Sequence, residues 1–206
     1  EIRRELGRGM MGIVYEAHDP ALHRRVALKA VQLAFPFSAE DRAHYEQRFL
    51  SEARAAAALS HPGIVVVHDV GRDEPTHTPF IALEYLEGRT LEQMTAGGER
   101  LAWPQALSTT ARAAEALQHA HENGIVHRDI KPANIMIDET SRGVRATLTD
   151  FGLVKALEAS TALTSQGTLL GSPEYMAPEQ ADPERVVEIG PATDRYALGV
   201  VAYQML

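Results

Sequence analysis

Over residues 1–35, short apolar runs broken by turn residues read as strand, glycine-rich turn, strand, a second turn at Asp19-Pro20, and a third strand over 25–31. Strands so closely joined make an antiparallel start. Ser38 followed by Asp41 has the form of a capping box. It opens a helical stretch ending near Leu59, where Ser60-His61-Pro62 stops it. Phe49, Glu52, Ala56 and Leu59 fall on one face of that helix. Further strands are expected over 64–70 and 79–86, so the first half reads as a small sheet carrying one helix.

After Gly88 the period changes. Trp103-Pro104 places a proline where the first turn of a helix accepts it, and Leu107, Ala111, Ala114, Leu117 and His121 keep helical spacing until Asn123-Gly124. Short apolar segments over 134–137 and 145–149 form an expected hairpin. Residues 154–170 are rich in Ser, Thr and Ala without a period and read as a mobile segment. No internal repeat interrupts this order.

Composition narrows the class. A 45% hydrophobic and 23% charged chain of 206 residues is in the globular range, with enough length to bury a core. No run of eighteen apolar residues occurs, so no membrane span is expected in this segment. The opening Glu1-Ile2-Arg3-Arg4-Glu5 lacks the apolar stretch of a signal peptide. Zero cysteines exclude a disulfide framework and Cys-ligated metal, and cytoplasm is the default location. A net charge of −8 works against nucleic acid as a partner and requires any nucleotide to be met by local cations.

Two strings carry the chemistry: His127-Arg128-Asp129-Ile130-Lys131-Pro132-Ala133-Asn134 and Asp150-Phe151-Gly152. Moving a phosphoryl group from a Mg-bound nucleotide to a hydroxyl needs a carboxylate to receive the acceptor's proton and further oxygen ligands for the metal. Asp129 is the candidate base, Asn134 and Asp150 the candidate Mg2+ ligands, and Lys131 the cation that offsets charge on the transferred group. His127 and Phe151 are expected as packed side chains that fix the two loops.

Upstream, Gly7-Arg8-Gly9-Met10-Met11-Gly12-Ile13-Val14 has the form G-x-G-x-x-G-x-V, in which Gly7, Gly9 and Gly12 let a hairpin close its backbone over phosphates. A glycine-rich turn that binds nothing has the same form. The following residues continue as strand rather than helix, which favours the hairpin over a Rossmann site. Lys29 ends the run Val26-Ala27-Leu28, and Glu52 sits on the apolar stripe of the first helix, where a carboxylate is costly unless a cation meets it. Lys29 is its natural partner, with its ammonium also reaching phosphate. The alternatives are a lysine on a solvated strand face and a stripe edge open to water.

With Val26-Ala27-Leu28-Lys29, Gly171-Ser172-Pro173-Glu174-Tyr175-Met176-Ala177-Pro178-Glu179 and Asp194-Arg195-Tyr196-Ala197-Leu198-Gly199 added, the chain resembles the eukaryotic-like protein kinase superfamily from Gly7 to Leu206. Lys131 and the run Ala177-Pro178-Glu179-Gln180 look like bacterial serine/threonine kinases. The resemblance implies an α+β, bilobal fold: an N-lobe sheet plus one helix over 1–87 and a mainly helical C-lobe over 88–206, ending inside that lobe's central helix. It implies ATP with Mg2+, for which Mn2+ can substitute, and protein Ser/Thr hydroxyls as acceptors. A pseudokinase, or an inactive truncated fragment serving as a binding scaffold, is the alternative.

The resemblance further implies that Glu84 to Leu86 form the hinge that binds adenine, with Leu83 beside it and Ala27 and Val14 covering the ring. Asp194 would brace the catalytic loop, and Glu179 would seek an arginine beyond this chain. Arg128 next to the catalytic aspartate implies regulation by autophosphorylation of the segment before Gly171, with Thr164, Ser165 and Thr168 as candidate sites and a homodimer as the arrangement for it.

Overall fold

The computed structural model describes residues 1–9, 12–31, 39–140, 143–151, 172–181 and 189–206. Glu1–Ala58 and Val65–Leu86 belong to one compact unit, and the described residues of Leu59–Ile64, Glu87–Lys155 and Leu169–Leu206 to another. Ser38, Gly152, Thr164, Ser165, Thr168 and Gly171 lie outside the described residues.

In the first unit β1 (Ile2–Gly9), β2 (Gly12–Asp19), β3 (Arg24–Val31), β4 (Val67–Arg72) and β5 (Pro79–Glu84) form an antiparallel sheet in the order β1-β2-β3-β5-β4. The edge strand β1 is exposed along its length and carries Arg3, Arg4, Glu5 and Arg8, charges that discourage pairing with another chain. The helix α1 (Ala39–Ala57) packs on β4 and β5. Phe49, Ala53 and Ala56 on that helix are buried, at spacings that keep them on one face. A fully buried Phe contributes roughly 1.5–3 kcal/mol relative to exposure. At the end of β5, Arg25 stacks its guanidinium 4.4 Å from the Tyr85 ring centroid, and Arg4 donates to the nearly buried Glu16 carboxylate at 2.8 Å.

The strand expected over 64–70 begins later, at Val67. Ile64 instead bridges Leu148 in the second unit, whose N–H donates to the Gly63 carbonyl at 2.8 Å. A continuous apolar run such as Ile64-Val65-Val66-Val67 is compatible with either partner, so periodicity could not place the boundary.

In the second unit β6 (Arg89–Thr90), β7 (Ile135–Thr140) and β8 (Gly143–Leu148) form a small antiparallel sheet in that order, with the expected hairpin as its last two strands. A single helical turn, α2 (Leu91–Met94), is closed by a capping box between Thr90 and Gln93. The long helix α3 (Trp103–Glu122) packs against β8 and against the last helix, α5 (Pro191–Met205). A shorter turn, α4 (Pro178–Ala181), precedes it.

The face of α3 is a correction. Its buried residues are Ala106, Thr109, Ala113, Ala116, Leu117 and Ala120, whereas Leu107 is 62% exposed and Ala111 and Ala114 are exposed too. The buried stripe is built mainly from alanines, which bring the helix backbone close to its neighbours.

Candidate active site

The loop after α3 returns to β7 through a 3-10 turn at Pro132–Asn134, and its backbone is held from α5. Asp194, in the first turn of α5 and 1% exposed, accepts the His127 N–H at 2.8 Å on Oδ2 and the Arg128 N–H at 2.7 Å on Oδ1. His121, near the end of α3, meets the same Oδ2 through Nε2 at 2.7 Å. Arg128 takes a left-handed φ of 68°, a conformation that costs a non-glycine residue about 1–3 kcal/mol and is here fixed by these bonds.

His127 is fully buried and joins the two signature strings. Its Nδ1 accepts the Asp129 N–H at 3.3 Å, so Nε2 carries the ring proton and donates to the Thr149 carbonyl at 2.9 Å. The ring also packs at 4.5 Å, tilted, on Phe151, which is 4% exposed. Thr149 in turn donates from its backbone to the Asn134 carbonyl at 3.0 Å. Asp150 follows with a φ of 63°. Both loops are thus tied to each other through packed, hydrogen-bonded groups.

On this frame Asp129, Lys131 and Asn134 converge. Lys131 Nζ lies 2.8 Å from Asp129 Oδ2, and Asn134 Nδ2 donates to that oxygen at 2.9 Å and to the Asp129 carbonyl at 2.8 Å. Both contacts fall on Oδ2, and Oδ1 makes no hydrogen bond among the described residues. Both amide hydrogens of Asn134 are directed at Asp129, which orients its Oδ1 away from that carboxylate as an acceptor. The Arg128 guanidinium has Nε and Nη1 buried without a hydrogen-bond partner among the described residues.

The remaining expected residues belong to the first unit. Gly7 and Gly9 lie on β1, Gly12 and Val14 on β2, Ala27 and Lys29 on β3, Glu52 on α1, Glu84 at the end of β5, with Leu86 just beyond it. Register places Val14 opposite Lys29 and Lys29 opposite Ile81, while Ala27 pairs with Glu16 and Leu83. Lys29 is 8% exposed and Glu52 half-buried. The Glu84 N–H donates to the Val66 carbonyl at 2.8 Å. Of the expected site side chains, Lys29 and Glu52 thus lie in the first unit and Asp129, Asn134 and Asp150 in the second.

Sequence reasoning did not assign His121, Thr149, Gln180 or Thr193 a role. Gln180 Nε2 donates to the Arg128 carbonyl at 3.0 Å, and the Thr193 hydroxyl donates to Glu179 Oε1 at 2.7 Å.

Residues 1–206, the whole chain, match the protein kinase domain family, and the chain belongs to it. The serine/threonine-protein kinase PknB of Mycobacterium leprae is 40% identical over 203 residues, which cover 98% of this chain and 31% of that protein. PrkC of Bacillus subtilis is 38% identical over 206 residues, covering 100% of this chain and 30% of its own length. The chain thus spans less than a third of these curated relatives. Among solved structures, the Mycobacterium tuberculosis PknI kinase domain superposes with a TM-score of 0.75 at 31% identity, covering 99% of this chain and 70% of that one. The fold is kinase-like, with a five-stranded antiparallel sheet in the first unit and helices in the second.

Proposed function

We propose that this chain is a serine/threonine protein kinase domain that transfers the γ-phosphoryl group of ATP to protein Ser/Thr hydroxyls. The Asp129 carboxylate carries the reading: Lys131 and Asn134 engage its Oδ2, which leaves Oδ1 to orient an incoming hydroxyl. Asp129 Oδ1 accepts the hydroxyl proton as the hydroxyl oxygen bonds to the γ-phosphorus, the bond to the β–γ bridging oxygen breaks, and ADP leaves. Lys131 offsets charge on the moving group.

The donor set fits Mg2+. Asn134 Oδ1 and the Asp150 carboxylate are hard oxygen ligands, and this ion is ordinarily held by one or two protein oxygens with phosphate oxygens and waters completing the shell. When bound, Mg2+ neutralises phosphate charge. Gly7 and Gly9 support a phosphate-covering role: a Cβ added at either would meet no atom of the described residues within 4 Å, so packing against those residues does not demand glycine there. Lys29, kept oriented by Glu52, serves the phosphates, while the backbone from Glu84 to Leu86 takes the adenine beneath Val14 and Ala27. On this reading 1–87 and 88–206 act as the two lobes.

The Nε and Nη1 atoms of Arg128, buried and without a hydrogen-bond partner among the described residues, favour a phosphate arriving from elsewhere, and Thr164, Ser165 and Thr168 in the segment before Gly171 are the candidate hydroxyls to carry it. Autophosphorylation between two copies supplies that group. No helix of the described residues is long and apolar enough to cross a membrane, and ATP supply places the reaction in the cytoplasm. The test is transfer of label from γ-labelled ATP to a generic protein substrate by the full-length protein. Mg2+-dependent label on Ser and Thr is expected, with phosphopeptides from residues 161–171 appearing alongside. Nucleotide binding without transfer to any protein would contradict the proposal.

A further inference from the structure

Gln180 occupies the third position of α4, a turn opened by Ala177, which has no side-chain acceptor for the free N–H groups at its start. Gln180 supplies half of the missing cap. Its Oε1 accepts the Ala177 N–H at 3.2 Å, and its own N–H donates to the Ala177 carbonyl at 2.9 Å. This fixes the amide: the oxygen faces Ala177, so the nitrogen faces the other way and donates to the Arg128 carbonyl at 3.0 Å. Arg128 is thereby held at both ends, its N–H by Asp194 and its carbonyl by Gln180, across a left-handed φ of 68°. The next residue is Asp129. Any rotation that releases the Arg128 carbonyl turns the peptide that leads into the Asp129 side chain.

We propose that Gln180 is a positioning residue for phosphoryl transfer: its amide ties the Ala177–Gln180 turn to the catalytic loop, so that Asp129 keeps its productive orientation only when that turn is in place. The inference rests on the kinase reading above. A plain helix cap would use only the oxygen of this side chain, whereas the link needs the nitrogen, and the two roles separate by substitution. Gln180→Glu keeps an acceptor for the Ala177 N–H but, when ionised, sets oxygen against the Arg128 carbonyl. Gln180→Leu removes both contacts without adding charge.

Steady-state kinetics of the full-length protein and both variants, between pH 5 and 8, test this, the lower limit being where a glutamate of ordinary pKa, about 4.3, begins to protonate. At pH 8 each variant is expected to lose about tenfold in kcat for protein phosphorylation, the equivalent of one lost hydrogen bond in the transition state, with KM for ATP changed by less than about twofold. In Gln180→Glu the ratio to wild type is expected to rise as pH falls, because a protonated carboxyl regains a donor; in Gln180→Leu it stays flat. An active wild type whose kcat is matched by Gln180→Glu at pH 8, or by Gln180→Leu, overturns the link and leaves the kinase reading standing. A wild type that transfers no phosphoryl group overturns the kinase reading and the link with it.

Discussion

Asp194 is the most heavily used buried side chain of the candidate site, and it shows what a single residue contributes. Replacing it by Ala leaves the His127 and Arg128 N–H groups without their acceptor, at about 1–3 kcal/mol for each buried group. Asp194→Ala is therefore expected to lower stability by about 3 kcal/mol, with hydrogen exchange accelerating first at residues 127–129. Unchanged protection there would contradict the bracing role. Asp129, Asn134 and Asp150 could be singled out in sequence because the candidate chemistry names residue types at short local spacing, and the structure brings Asn134 onto Asp129. His121 and Gln180 were not, because they meet their partners across 73 and 52 residues, a distance over which no periodicity speaks. Thr149 was adjacent to a recognised motif but acts through its backbone, which residue type does not report.

Among the elements, the β6–β7 pairing depends on backbone contact at one glycine. Gly88 has a φ of 119°, and a Cβ placed there would lie 2.2 Å from the Ile137 carbonyl oxygen, backbone that cannot yield as a side-chain tip could. Gly88→Ala is expected to cost more than about 2 kcal/mol in chemical unfolding, whereas Gly97→Ala, with a positive φ but open space around it, should cost about 1 kcal/mol. Equal effects would show that the close approach is relieved. Strands β1 to β3 and the β7–β8 hairpin were readable because short apolar runs are broken there by turn residues. The phase of α3 was not, since its buried face is largely alanine and only geometry distinguishes a small residue in contact from one in water. The boundary of β4 failed for a related reason: an apolar run names no partner strand.

For the molecule as a whole, acid is the informative variable. His61 stacks on His119 at 5.3 Å between ring centroids, and burial first, then the neighbouring ring, pushes its pKa down against a smaller upward pull from Glu115. His68 is lowered as well, by burial and then by Arg24. A histidine free in the unfolded chain titrates near 6.5, so below that value the unfolded state binds more protons than the folded one. Stability is thus expected to be full above about pH 6.5 and to fall as pH drops through and below it. Hydrogen exchange of the α3 and β8 amides at pH 7.5 and 5.5, corrected for intrinsic rates, should show this. His61→Asn should show a shallower decline, and an equal slope in the variant would remove His61 as a cause. The kinase domain fold is a property of the whole chain, while the assignment of the proton to Asp129 rests on three contacts in one loop. Single-turnover phosphoryl transfer by the full-length protein and its Asp129→Asn variant, with ATP affinity measured on both, tests that assignment most directly. With Asp129 as the proton acceptor, the variant's rate is expected to be lower by about 10²–10⁴, roughly 3–5.5 kcal/mol of barrier, at unchanged ATP affinity; a variant that transfers at the wild-type rate would contradict that role.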